Sequence, residues 1–247
     1  MDPKTEGSLV ARILFQPLEE SSRLFFSRSL ATPTIATLHS TSAFLPSLLL
    51  LHTHLSLIFI CLCPSFTTPL LYHLLGPRWS ASSAPTILRA YCLYLPFLAI
   101  NGSTEAFFQS VADPVWLRRG SWWMGACSVG FVLAVAAGVR AGMDETGLIW
   151  ANCVNMAMRI AFSSVFISQY YPDTMKSAGG DRGDVDKVAG TMSVARWMPK
   201  PLTGVVFALA RSIVRGSEMK GEWKSWRGLG EHLATGAACG LFSLAVM

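Results

Sequence analysis

Apolar positions in this chain gather into long blocks, while the polar positions inside those blocks recur at helical spacing. Crossing an apolar layer of about 30 Å takes about 20 residues of helix, because an unbonded backbone group is too costly in hydrocarbon. On that measure the chain yields seven candidate spans. The first runs from Leu9 to Ser29. The second begins near Ala43, continues through Leu48–Leu51 and Leu57–Leu62, and ends before Pro64, leaving Pro64–Leu75 as an interfacial piece. The third covers Leu88 to Val111, and the fourth, Ser121 to Val139, opens on the aromatic anchor Trp122–Trp123. The fifth runs from Thr146 to Tyr171, the short sixth from Pro201 to about Ile213, and the seventh from Leu229 to Met247. Barrel strands would need an alternation that is absent. The predicted fold class is therefore all-α, a polytopic transmembrane helical bundle.

Between these blocks lie two longer polar loops, Pro172–Lys200 and Gly216–Gly228. The first, with its Gly179–Gly180–Asp181–Arg182–Gly183 stretch, reads as a flexible linker and lacks the Lys-Ser/Thr ending of a phosphate loop. The expected organisation is a five-span lobe over 1–171, a flexible loop over 172–200 and a terminal helix pair over 201–247.

Composition agrees with a membrane protein: 51% of residues are hydrophobic and 14% charged. The net charge of +5 sits at span ends and in loops, so no nucleic-acid face is predicted. Cys61, Cys63, Cys92, Cys127, Cys153 and Cys239 all lie in apolar blocks and read as small buried hydrophobes, not as a disulfide framework. His52 and His54 are two apart, as are Cys61 and Cys63, and residues so spaced point to nearly opposite sides of a helix, so no metal site is expected. Nor is a secretory leader. Met1–Gly7 has mixed charge and the following segment contains Arg12, Glu19, Glu20 and Arg23, so membrane entry is expected from an internal span. Nucleophile elbow, HExxH, Cys-x-x-Cys and carboxylate-cluster patterns are all missing, and neither catalysis nor a cofactor is predicted.

The candidate chemistry lies in five charges placed within span-like stretches: Arg12, Glu19, Arg23, Glu105 and Arg159. Each would cost about 2.5–3.5 kcal/mol at the bilayer centre, so such groups face protein or a water-filled cavity. Arg12, Gln16, Glu19 and Arg23 follow at steps of four, three and four and share one side of the first span, with Glu20 beside them. Glu19 and Arg23 have the favourable i,i+4 orientation. Pro17 deprives the Ile13 carbonyl of its donor and is expected to kink this helix. Two readings stand: a cavity-lining, bendable helix, or an internal ion pair that locks helices together. A second stripe, Asn101, Glu105 and Gln109, lies beyond a kink at Pro96. Glu105 has no cation within one turn, so it must find one on another helix, stay protonated or face water. A third stripe joins Asn152, Asn155, Arg159 and Ser163, and Arg159 is the natural interhelical partner for Glu105. Asn152 and Asn155 read equally as glue between helices or as ligand contacts.

Three strings carry a resemblance: Leu9-Val-Ala-Arg-Ile-Leu-Phe-Gln-Pro-Leu-Glu-Glu20; Leu88-Arg-Ala-Tyr-Cys-Leu-Tyr94 with Leu98-Ala-Ile-Asn-Gly-Ser-Thr-Glu-Ala106; and Ile149-Trp-Ala-Asn-Cys-Val-Asn-Met-Ala-Met-Arg-Ile160. Together they resemble the Rft family, endoplasmic-reticulum proteins associated with translocation of dolichol-diphosphate-linked oligosaccharide in N-glycosylation. The likeness covers roughly Ser8 to Tyr171; after Pro172 it is one of character only. It implies the fold of the multidrug/oligosaccharidyl-lipid/polysaccharide flippase superfamily, in which two helical lobes flank a central cavity. This chain would be the C-terminal lobe with terminal helices, its partners membrane lipid, the glycolipid, and a missing N-terminal lobe or the N-glycosylation machinery. The implied function is glycolipid flipping, or else a non-transporting factor that binds the glycolipid or scaffolds the machinery. An anionic sugar-diphosphate headgroup implies cations for phosphate, from Arg12, Arg89 and Arg159, and amides for hydroxyls, from Gln16, Asn101, Asn152 and Asn155. The resemblance also implies a first span starting in the lumen, with Arg118–Arg119 and the Pro172–Lys200 loop cytosolic and Asp144–Glu145 lumenal.

Overall fold

A computed structural model describes residues 4–192 and 199–245, with side chains at Ile13 and from Phe15 onward except Glu222 and Leu244. The secondary structure of the described residues is helical. In order it comprises α1 (Lys4–Ser29), α2 (Ile35–Cys61), a 3-10 turn (Cys63–Phe66), α3 (Thr67–Leu75), α4 (Pro77–Ser80), α5 (Ala84–Val111), α6 (Pro114–Arg140), α7 (Thr146–Ser177), α8 (Arg182–Thr191), α9 (Pro201–Met219), a 3-10 turn (Glu222–Lys224) and α10 (Trp226–Ala245). The chain is an all-α membrane bundle. Among the described residues, Ile35–Leu75, Pro114–Arg140 and Thr146–Ser177 are long and apolar enough to cross a membrane.

Capping explains why several helices start ahead of their apolar blocks. Thr34 and Thr37 exchange backbone N–H to hydroxyl bonds of 2.9 and 3.2 Å, a reciprocal cap that starts α2 at Ile35 instead of near Ala43. Asp113 accepts from the Trp116 N–H at 2.7 Å, and Pro114 in the first turn starts α6 seven residues before Ser121. Proline does not stop these helices: α1, α2, α5 and α7 run through Pro17, Pro46, Pro96 and Pro172.

The Pro172–Lys200 segment departs from the flexible loop expected of it. Burial of Tyr171 and Met175 carries α7 on to Ser177, and Gly179, at φ 81°, turns the chain. The Asp181 carboxylate then accepts from the Asp184 N–H at 2.8 Å and starts α8, whose Val188 is buried. Replacing this cap, Asp181→Ala, is expected to destabilise α8 by about 1 kcal/mol. Amide exchange should quicken over residues 184–191 and stay unchanged in α6.

By contacts the chain forms two compact units, Met1–His52 with Phe97–Met198, and Thr53–Pro96 with Pro199–Met247. The terminal helix pair thus groups with an earlier segment instead of standing as the separate piece expected. In the first unit the core is built on aromatic rings from α1, α5 and α7. Phe107 meets Phe26 edge-on at 5.0 Å and stacks on Tyr171 at 5.3 Å, and Phe108 meets Phe166 edge-on at 5.0 Å. Helices α6 and α7 approach closely through small residues, Gly138 lying against Gly147 and Gly130 against Met158. Trp123 stacks on Phe162 and donates to the Met158 carbonyl at 3.0 Å, while its neighbour Trp122 is fully turned outward. In the second unit Leu62, Ala210 and Val214 form the apolar centre, and Gly236 of α10 gives room to the Phe66 ring.

Candidate functional site

The three polar stripes lie on α1, α5 and α7, all in the first unit. One helical turn separates Asn101, Glu105 and Gln109, so both carboxylate oxygens of Glu105 are engaged from its own helix: Oε2 accepts from Asn101 Nδ2 and Oε1 from Gln109 Nε2, each at 3.0 Å. The Arg159 guanidinium of α7 reaches the same Oε2, forming the interhelical pair that the spacing predicted. The pair is largely enclosed, with 13% of the Glu105 side chain and 25% of that of Arg159 exposed. Among the described residues, Asn101 Oδ1 and Arg159 Nε are buried with no hydrogen-bond partner.

Helix α1 joins this cluster through Glu19. Gly102 is the reason it can: a methyl there would stand 3.0 Å from Glu19 Oε2. Arg23 binds Glu19 at 3.1 Å, and the Ser110 hydroxyl of α5 lies 3.1 Å from the Arg23 carbonyl, tying the two helices. The outer side of α1 remains polar and exposed. Gln16 donates to Glu20 at 2.8 Å, both are exposed, and 45% of the Arg23 side chain is accessible.

Other candidates lie apart. Asn152 donates to the Leu148 carbonyl of its own helix at 3.0 Å. Asn155, one turn before Arg159, is half-buried and makes no hydrogen bond among the described residues. Arg12 lies in α1, and its side chain is outside the described residues. Arg89 belongs to the second unit, and its contacts there bind it to structure: Nε donates to the Pro64 carbonyl at 3.1 Å and Thr67 Oγ1 at 3.2 Å, and NH2 to Thr68 Oγ1 at 3.0 Å and Glu218 at 2.5 Å. His52 is buried beside the Leu48 carbonyl and the Ser103 hydroxyl, at 2.9 and 3.3 Å.

A cleft of about 530 Å³ in the first unit is lined by apolar side chains and glycines, among them Phe97, Gly138, Gly147, Trp150 and Ala151. Its chemistry suits a hydrocarbon chain. Sequence reasoning also missed a polar cluster in the second unit, where His232, 1% exposed, lies 3.0 Å from Ser217 Oγ and 3.2 Å from the Ser65 carbonyl. The histidine was the only local signal, and its partners come from distant segments.

A sequence profile of the Rft protein family, Rft-1, matches residues 4–247. A relative from Saccharomyces cerevisiae is 38% identical over 67% of this chain and 29% of its own length. One from Yarrowia lipolytica is 41% identical over 67% of the chain and 26% of its own length, and one from Xenopus tropicalis is 30% identical over 96% and 42%. Each is named as a Man(5)GlcNAc(2)-PP-dolichol translocation protein. The chain thus spans well under half the length of these relatives. No solved structure matches it. Matched along nearly its whole length, the chain belongs to the Rft family.

Proposed function

We propose that this chain forms one polar wall of a path by which dolichol-diphosphate-linked oligosaccharide crosses the endoplasmic-reticulum membrane during N-glycosylation. The observation that carries this reading is the exposed polar face of α1, where Gln16, Glu20 and Arg23 stand on a helix packed with the largely enclosed Glu105–Arg159 centre. Ionic groups at bilayer depth avoid lipid, so this face borders water and polar ligand. Arg23 can bind phosphate, while Gln16 and Asn155 bind sugar hydroxyls. The isoprenoid tail runs in the apolar cleft between α6 and α7. The carrier has no nucleotide motif in this part, so movement is downhill or coupled to another gradient. Arg118–Arg119 faces the cytosol and Asp144–Glu145 the lumen, in line with the positive-inside rule.

The test is reconstitution of the chain, together with the part of the Saccharomyces cerevisiae relative that it does not match, in liposomes carrying the glycolipid. Movement between leaflets is expected, with Glu19→Lys slowing it by about tenfold through loss of a charge-assisted bond and Glu19→Gln by less. Rates equal to those of protein-free liposomes would overturn transport. They would favour a second reading, a non-transporting factor that holds glycolipid or enzymes, for which the already engaged Glu105 speaks.

A further inference from the structure

The surface of the α9–α10 hairpin grades along its length from apolar to mixed polar. Along α9 the exposed apolar residues Leu202, Val205 and Leu209 give way to a mixed stretch in which Arg211, Arg215 and Lys220 are exposed beside Ile213 and Met219. Along α10 the exposed residues before Leu233 include Trp226, Arg227 and Glu231, with Leu241 and Phe242 farther on. Exposed tryptophan at such a change marks the headgroup depth of a bilayer. At this level lies a cavity of about 370 Å³ whose lining includes Ser212, Ser217, Lys220, Trp223, Glu231 and Thr235.

Backbone carbonyls fix most of the hydrogen-bond directions in that lining. Ser212 donates its hydroxyl proton to the Ala208 carbonyl at 3.1 Å, Thr235 to the Glu231 carbonyl at 2.8 Å, and Trp223 its indole N–H to the Glu218 carbonyl at 2.9 Å. His232 Nε2 lies 3.2 Å from the Ser65 carbonyl, which only accepts, so Nε2 carries a proton. Nδ1 lies 3.0 Å from the Ser217 hydroxyl, whose oxygen keeps a free lone pair whichever of the two donates. What the side chains still offer the cavity is three hydroxyl oxygens with free lone pairs, the Glu231 carboxylate and the Lys220 ammonium. Glu231 meets the highly exposed Arg227 at 3.4 Å, a contact that leaves carboxylate lone pairs free. Lys220 has no ion pair among the described residues.

A ligand complementary to this lining carries one anion and several N–H donors on a short headgroup. We infer that the cavity binds the headgroup of a membrane aminophospholipid, its phosphate diester on Lys220 and its primary ammonium among Ser212, Ser217, Thr235 and Glu231. The ligand is a bilayer lipid because the cavity lies where headgroups lie. This site is separate from the translocation reading and does not depend on it.

The test is native mass spectrometry of the full, delipidated chain in micelles, titrated with dioleoyl phosphatidylethanolamine, phosphatidylcholine or phosphatidylglycerol. Phosphatidylcholine has the same charges as phosphatidylethanolamine but no N–H, so phosphatidylethanolamine should bind about tenfold tighter. Lys220→Met should remove that binding, and the paired change Ser212→Ala with Thr235→Val should erase the preference over phosphatidylcholine. Glu231→Gln, at an exposed position where folding is insensitive, should weaken phosphatidylethanolamine alone. Equal binding of phosphatidylethanolamine and phosphatidylcholine, tighter binding of phosphatidylglycerol, or unchanged binding by Lys220→Met in a chain of unaltered thermal stability would overturn the assignment.

Discussion

Glu105→Leu is expected to destabilise the folded chain by about 3–5 kcal/mol, the usual effect of removing one partner from a buried ion pair. The change would strand the Arg159 guanidinium, only 25% exposed, and would remove the acceptor of both Asn101 and Gln109. Arg159→Leu should cost a similar amount, because it strands the carboxylate. The double replacement should recover most of the loss, since taking both charges out of an enclosed site is often neutral. Thermal unfolding of the four proteins in detergent gives the coupling directly. A Glu105→Leu chain as stable as the parent would mean that the pair contributes nothing to the fold.

A comparably large effect is expected at Gly236. A methyl at this α10 position would run into the Phe66 ring, which also packs face-tilted on His232 at 4.6 Å between centroids. Overpacking of this kind costs about 1–3 kcal/mol, and the ring cannot swing away without leaving His232. Gly236→Ala should therefore lower the thermal midpoint, and Gly236→Leu should lower it further. Adding Phe66→Leu to Gly236→Ala should restore part of the loss. A Gly236→Ala chain that unfolds at the parental temperature would rule out this close approach.

The two sites differ in how far sequence revealed them. The Glu105–Arg159 pair was legible because each residue lies on a polar stripe whose spacing fixes a helix face, and each lacks a nearby counter-charge on its own helix. Helix bodies were legible for the same reason: apolar blocks must be buried or lie in lipid. Their ends were not, because Thr34, Asp113 and Asp181 start helices in polar sequence through hydrogen bonds that hydrophobicity does not register. The anchoring of Arg89 was not legible because its partner, Glu218, lies 129 positions away. His232 and the Ser65 carbonyl are 167 positions apart, a distance across which no local spacing carries information.

The Glu105–Arg159 separation also has a consequence in time. The two partners are fifty-four positions apart, so Glu105 is made well before its cation exists. At about 5–20 residues per second, the carboxylate waits roughly 3–11 s. Asn101 and Gln109 can screen it during that interval, since both lie one turn away on the same helix. Helix α5 therefore has reason to linger in a hydrated insertion site until α7 is made, and slowing translation between the two helices should expose the nascent chain to quality control.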